Sequence, residues 1–372
     1  MTAFAWRCGA LLFALSVSPA WAQLSPNVAA EVGVVSQSYT VNEGESVNEL
    51  AVPVQIGVSL DSGLSLSLRT AYADVSGDGL TSLGGVADTQ LGVGYRRALG
   101  TAIVDLAIVS NVPTGQTGLT QDEFATSTRI ATDDFAFAVP SLGQGAAISP
   151  GIAIAFPAGP STAFGVAAAY SARSSYEPFA GDSLSYTPAD EVVLSAGFDA
   201  ALGALSTFSL EGSYVIYGDD EVGGNTFSPG DKIAGTMRLV VGGRVARGSL
   251  LARYRHVLDG TVGTADRVVS DLRPSQARLA LGLALGPPST NVALSAGARY
   301  YGSIEQTDDL LELASFVADQ QLLVDFGVAP VVTVSPGVQL RGSFTYTLGL
   351  ADNVGGASLE GYRASGGLRV DL

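Results

Sequence analysis

The sequence predicts an all-β chain: a transmembrane antiparallel β-barrel of the outer-membrane type, with about sixteen strands and twelve to fourteen as the alternative. Three observations carry this. The 372 residues are 47% hydrophobic and only 15% charged, where soluble globular chains carry about 25% charged residues, and the mean hydropathy is +0.32. No apolar run after the N-terminal leader has the length of a spanning helix, which needs about 20 residues. The longest charge-free stretch, Phe135 to Ala172, is broken by Pro140, Pro150, Pro157, Pro160 and five glycines. Apolar and polar residues alternate with period two from end to end. In lipid every backbone N–H and C=O must be paired within the protein, so a hydrophobic chain without spanning helices is left with a closed barrel.

The N-terminus reads as a cleaved signal peptide over residues 1–22. Arg7 supplies the positive region, Ala10 to Val17 the apolar core, and Ala20-Trp21-Ala22 a small-x-small cleavage site. Residues 23–372 then form a single barrel domain, 350 residues long. The only cysteine, Cys8, and both tryptophans, Trp6 and Trp21, lie in the leader. The mature chain is therefore expected to hold no disulfide, thiol nucleophile or cysteine metal site. With Arg7 gone, the formal charge of −16 becomes −17, which argues against a nucleic-acid partner.

Each strand follows from its alternation. Leu64, Leu66, Leu68 and Tyr72 alternate with Ser65, Ser67, Arg69 and Ala71; Phe208, Leu210, Tyr214 and Ile216 alternate with Thr207, Ser209, Glu211 and Ser213. Val338, Leu340, Phe344, Tyr346 and Leu348 do the same near the C-terminus. One face of each strand suits lipid and the other a polar interior. Sixteen such segments begin near residues 30, 48, 63, 87, 101, 144, 162, 189, 205, 231, 248, 273, 290, 320, 334 and 358. Tight connections are expected at 61–63, 98–100, 158–160, 201–203, 246–248 and 286–288. Long ones are expected at 75–86, 113–143, 174–188, 218–230, 259–272 and 304–319. Short periplasmic turns facing long external loops place both termini in the periplasm. Within the last loop, Gln306 to Ala318 reads equally as a short helix or an irregular segment. The segment 113–143 is the candidate for a loop that folds in and narrows the pore.

At residues 90–115 the chain reads Gln90-Leu91-Gly92-Val93-Gly94-Tyr95-Arg96, an alternating strand, then Asn111-Val112-Pro113-Thr114-Gly115. This hairpin resembles the MetA-pathway of phenol degradation family of outer-membrane transporters. The chain departs from it in its greater length and in ending on Leu372 rather than an aromatic residue. The resemblance implies uptake of aromatic or other poorly soluble compounds. From the residues alone, Pro113 stops the ladder and Gly115 turns the chain into a loop.

With the apolar face outward, the inward bases are Arg69, Arg96, Lys232, Arg238, Arg244, Arg253, Arg255, Arg278, Arg299, Arg341, Arg363 and Arg369. The inward acids are Asp105, Asp199, Glu211, Asp325 and Asp371. The remaining acids belong to loops, such as Asp219-Asp220-Glu221 and Asp308-Asp309 with Glu312. From this set the expected pore lining is Arg69, Arg238, Arg253, Arg255, Arg278, Arg299, Arg341 and Arg363 with Asp105, Glu211 and Asp325. Two readings stay open. Arginines in a lumen favour anions and stack on planar groups; alternatively, Arg–acid ladders simply stiffen the wall. The acidic loops read as solvated tips or as cation bridges to lipopolysaccharide, without a ligand set.

His256, the only histidine, faces lipid by parity. A hydrolase would need a nucleophile, base and orienting group together, and no G-x-S-x-G motif is present. No catalytic residue, metal site or cofactor is therefore expected. Tyr72, Tyr95, Tyr170, Tyr214, Tyr300 and Tyr346 fit an aromatic girdle. The function that follows is a non-enzymatic channel or facilitator passing small solutes, aromatic, hydrophobic or anionic, down their gradient. Its partners would be the bilayer, lipopolysaccharide, the assembly machinery and the solute. The alternatives are an exporter of an anionic polymer and a structural or adhesive barrel without a through-pore.

Overall fold

The computed structural model describes residues 27–41, 44–131, 135–181, 184–243, 245–262, 267–269, 275–302, 321–351 and 359–372. The leader, Arg244, the Gln306–Ala318 segment and the acids Asp308, Asp309 and Glu312 lie outside them.

Sixteen strands run antiparallel around one sheet. They are β1 (Asn27–Val41), β2 (Glu45–Ser59), β3 (Leu64–Gly77), β4 in two pieces (Leu80–Val86 and Thr89–Leu99), β5 (Ala102–Val112), β6 (Ala147–Pro157), β7 (Thr162–Arg173) and β8 (Glu191–Gly203). The second half comprises β9 (Ser206–Tyr217), β10 (Lys232–Gly242), β11 (Ala246–Val257), β12 (Gln276–Leu285), β13 (Thr290–Tyr301), β14 (Gln321–Ser335), β15 (Val338–Ala351) and β16 (Leu359–Asp371). Each strand pairs with its neighbours in sequence, and β1 pairs with β16 from Ala29↔Asp371 to Val41↔Leu359. The sheet therefore closes and leaves no edge. All sixteen predicted segments are strands, which excludes the twelve- and fourteen-stranded alternatives.

Both faces of the alternation are visible in exposure. Leu281 (54%), Phe164 (52%), Phe326 (52%) and Val34 (50%) stand exposed, with Leu210 and Leu340 in the same band. An apolar band of this extent around the whole barrel requires a hydrocarbon surround. Tyr72, Tyr95, Tyr170 and Tyr300 are exposed among it. At the loop end, the hydroxyls of Tyr170, Tyr214 and Tyr346 donate to the carboxylates of Asp190, Asp231 and Glu360.

The tight turns lie at one end with both termini, where Val28 and Leu372 exchange backbone hydrogen bonds of 3.1 and 2.8 Å. At the first of them Gly63 has φ +85°, and a Cβ there would meet the Arg96 carbonyl oxygen at 2.2 Å, so only glycine fits. β10 ends at Gly242 and β11 begins at Ala246, with Gly243 N–H donating to the Ala246 carbonyl. This connection is earlier than the predicted 246–248, which belong to β11.

One predicted connection is corrected. Residues 75–86 are not a loop: β3 continues to Gly77, turns at Asp78-Gly79, and pairs with Leu80–Val86. Glycines at 77, 79, 84 and 85 lower strand propensity and mimic a loop in sequence. The 113–143 segment contains helix α1 (Gln121–Ile130), opened by a capping box in which the Thr120 hydroxyl and the Glu123 carboxylate each accept the other's backbone N–H. Outside the barrel wall, the short strands Tyr186–Thr187, Asp220–Val222, Asn225–Ser228, Gly260–Val262 and Arg267–Val269 form a small separate sheet in the loops.

Candidate functional site

The site is built by the long segment between β5 and β6, which turns back into the barrel. Its anchor is the break in β4 at Ala87-Asp88. The Asp88 carboxylate accepts from Asn111 Nδ2 (2.8 Å), Gly115 N (2.9 Å) and Gln144 N (2.8 Å), while Asp88 N–H donates to the Leu142 carbonyl (2.8 Å). The Thr114 hydroxyl donates to the Ala87 carbonyl at 3.0 Å. Both ends of the segment are thereby tied to one residue of the wall. Gly115, read in sequence only as a turn, sits where the segment recrosses itself: a Cβ there would stand 1.9 Å from the Leu142 oxygen.

Past this latch the chain packs against the inner face of β1–β4. Phe135 and Phe137 lie with ring centroids 5.4 Å from Tyr39 and 5.3 Å from each other. They share a buried cluster with Val35, Val47, Ala51, Val75, Leu83, Ile130, Val139 and Leu142. Aromatic pairs at this spacing contribute roughly 0.5–1.5 kcal/mol beyond burial. Two polar groups fix the register. Glu49, 2% exposed, accepts from Ala138 N and Val139 N, both at 2.8 Å. The Gln37 side chain accepts from Ala138 N (2.9 Å) and donates to the Ala136 carbonyl (3.2 Å). A buried carboxylate facing two amides is satisfied only with the segment in place. The Thr126 hydroxyl docks α1 by donating to the Thr81 carbonyl at 2.8 Å.

The predicted pore-lining residues fall into three groups. Arg253, Arg278 and Arg299 are direct cross-strand partners on β11, β12 and β13, so they share one face. Arg255 lies one inward position further toward the loop end, opposite Gln276. Glu211 joins the same row through Thr236 of β10, and Arg238 stands exposed on β10. Arg299 makes a two-point ion pair with Asp325, at 3.0 and 3.1 Å, and Asp325 also accepts from the Thr347 hydroxyl at 2.7 Å. Arg278 and Arg238 have no hydrogen-bond or ion-pair partner among the described residues. The second group is Arg69, Arg341 and Arg363, which line a cavity of about 610 Å³ beneath the folded-in segment. Asp105 forms the third, paired with Arg96 at 2.8 Å near the turn end.

On the loop side of the segment lies a smaller cavity, about 100 Å³, among Phe124, Tyr176, Tyr186, Tyr217 and Lys232. Lys232 Nζ sits 4.4 Å from the Tyr217 ring centroid. Asp220, expected at a solvated tip, is instead buried and accepts from the Tyr186 hydroxyl (2.8 Å) and Ala189 N (2.6 Å). Burial, with the charge of Asp220 beside it, pushes the Tyr176 hydroxyl up to about 12 and raises that of Tyr186 further. Asn111, Ser141 and Gln144 line both cavities, so the two spaces adjoin across them.

Sequence reasoning missed Glu49, Gln37 and Asp88, which hold the segment in the barrel. It also missed the partner of His256, whose Nδ1 lies 2.7 Å from the Ser275 hydroxyl. That pairing depends on how β11 and β12 meet at their loop ends, which no local pattern encodes.

No family model matches the chain, so the MetA-pathway resemblance has no matching model behind it. No curated protein matches it in sequence. Among solved structures it is similar to CdiB from Acinetobacter baumannii, with TM-score 0.50, 9% identity, and coverage of 92% of this chain and 60% of that one. The fold is that of an outer-membrane barrel. The chain spans only 60% of the length of CdiB. It is also similar to an anion-selective porin from Comamonas acidovorans, with TM-score 0.44, 12% identity, and coverage of 94% of this chain and 100% of that one. For OprD from Pseudomonas aeruginosa the values are 0.46, 6%, 93% and 94%. Closed, edgeless and apolar around its whole circumference, the barrel resides in the bacterial outer membrane.

Proposed function

We propose that the barrel is a passive outer-membrane channel for small solutes that favours anions. Its lumen is narrowed by the segment between β5 and β6, and its selectivity comes from the arginines of β11–β13. The observation that carries this reading is the cross-strand run Arg253–Arg278–Arg299. Like charges directly opposite one another on a sheet are destabilising. Asp325 pairs Arg299, but among the described residues no acid pairs Arg278, which stands between the two other guanidiniums, and a wall stiffened by Arg–acid ladders would supply one there. A pore that attracts and passes anions accounts for the row. Sixteen strands are wide enough to leave an aqueous channel beside an inserted loop. The resemblance at residues 90–115 adds aromatic compounds to the solutes worth testing.

The test is planar-bilayer recording of the refolded mature protein across a KCl gradient. Steady single-channel steps are expected, with a reversal potential of the sign for chloride permeation. Replacing Arg253 and Arg278 together by Ala lowers that preference without closing the pore. A silent bilayer, or cation preference in the wild type, overturns the proposal.

A further inference from the structure

The 610 Å³ cavity beneath the folded-in segment is unlike the arginine row in one respect: apolar groups share its lining with the guanidiniums. We propose that it is a binding station for a small organic monocarboxylate with a compact apolar body. The inference rests on reading the lumen as a solute path, and it names the solute class.

Three guanidiniums, from Arg69 on β3, Arg341 on β15 and Arg363 on β16, line this one space. The acids nearby are already engaged. Glu31 takes Arg341 Nη1 at 3.2 Å, and both Asp88 oxygens hold the segment's ends. Arg69 and Arg363 have no hydrogen-bond or ion-pair partner among the described residues, and Arg69 Nε is buried without an acceptor. The cavity therefore holds more cation than anion. A half-buried guanidinium without acceptors is costly, and a carboxylate answers it with two oxygens in the fork geometry that arginine presents. The Ser343 and Ser365 hydroxyls, 2.6 Å apart, extend the polar lining.

The apolar part of the lining decides between an organic and an inorganic anion. Val35, the cross-strand neighbour of Ser365, Ala71, two residues along β3 from Arg69, and Val139 and Pro140 of the segment line the cavity and offer no side-chain donor. An inorganic phosphate or sulfate carries acceptor oxygens in every direction, and those facing these groups would lose water without replacement. A monocarboxylate turns its charge to the arginines and its apolar body to Val35 and Val139, so both kinds of lining are matched.

The experiment is isothermal titration of the refolded mature barrel in zwitterionic detergent, with benzoate, its neutral isostere benzamide, and inorganic phosphate as probes. Saturable benzoate binding is expected, with benzamide and phosphate giving none at the same concentrations. Arg69→Gln with Arg363→Gln weakens benzoate by about tenfold or more. Arg97→Gln, exposed near the turn end of β4 and outside both the cavity and the arginine row, leaves it unchanged and controls for folding. Absence of benzoate binding, equal binding in the double variant, or phosphate binding as tight as benzoate each overturns the station. Binding needs no current, so the two readings fail separately. A barrel that binds benzoate but stays silent in bilayers sinks the channel, and an anion-selective channel that ignores benzoate sinks the station.

Discussion

Two walls of the same barrel obey one rule of alternation and are filled in opposite ways. On β1–β3 the inward positions toward the loop end include Val35, Val47, Ala51, Ala73 and Val75, so that half of these strands is largely apolar on both faces. Their inner face would be exposed to water if nothing covered it. The segment between β5 and β6 supplies the cover with Phe135, Phe137, Val139 and Leu142. Of the acids on this wall, Glu49 is spent on the segment's amides and Glu31 on Arg341. On β10–β13 the inward positions carry Arg238, Arg253, Arg255, Arg278 and Arg299. One wall holds the constriction, and the other holds the row of directly opposed arginines. A strand's inner face is thus not polar by default: where it is apolar, some other part of the chain has to cover it.

The largest expected effect comes from removing the cover. Replacing residues 117–141 by a short Gly-Ser linker, with Glu49→Gln so that no new carboxylate is bared, should raise single-channel conductance several-fold. Unchanged conductance would mean that the segment does not narrow the path. Next in size, Arg278→Glu places a carboxylate between Arg253 and Arg299 and should move the reversal potential toward cations while conductance changes little.

Glu49→Gln alone is expected to act more weakly. The amide oxygen can accept from Val139 N–H, but its NH₂ then faces Ala138 N–H, which keeps its bond to Gln37, so the new NH₂ is a buried donor without an acceptor, at a cost of about 1–3 kcal/mol. Faster cleavage of the segment by added protease, against an intact barrel, would register the loosening. The smallest effect belongs to the exposed Asp78. The Ser46 hydroxyl (2.7 Å) and backbone N–H (2.9 Å) donate to its carboxylate and hold it below the usual range. Because the folded-state value is depressed, the stability this tie contributes is present at neutral pH and is lost as pH falls from the ordinary carboxylate value through the lowered one. Hydrogen exchange at Ser46 should therefore be slower than in Asp78→Asn at neutral pH, and the difference should shrink as the carboxylate is protonated.

Much of this fold was legible because the barrel writes itself locally. Period-two alternation located all sixteen strands, including β1 and the Gly/Pro-rich β6, and turn residues such as Gly63 marked the short connections. The rest depended on contacts between segments far apart in the chain. Thr120-Gln121-Asp122-Glu123 carried a readable capping signal for α1, hidden by the polar loop around it. The glycines at 77–85 disguised a hairpin as a loop. Parity placed Arg253, Arg278 and Arg299 on one face, but only the register made them direct neighbours. Glu49 was not among the inward acids that parity picked out, and its partners lie about ninety residues away.

The division between the two walls is tested most directly by the reversal potential of the 117–141 replacement across a KCl gradient. If the arginines of β11–β13 set selectivity, the wider pore keeps the sign of anion preference. A reversal potential of zero, or one of cation sign, would contradict the account and move selectivity to the folded-in segment.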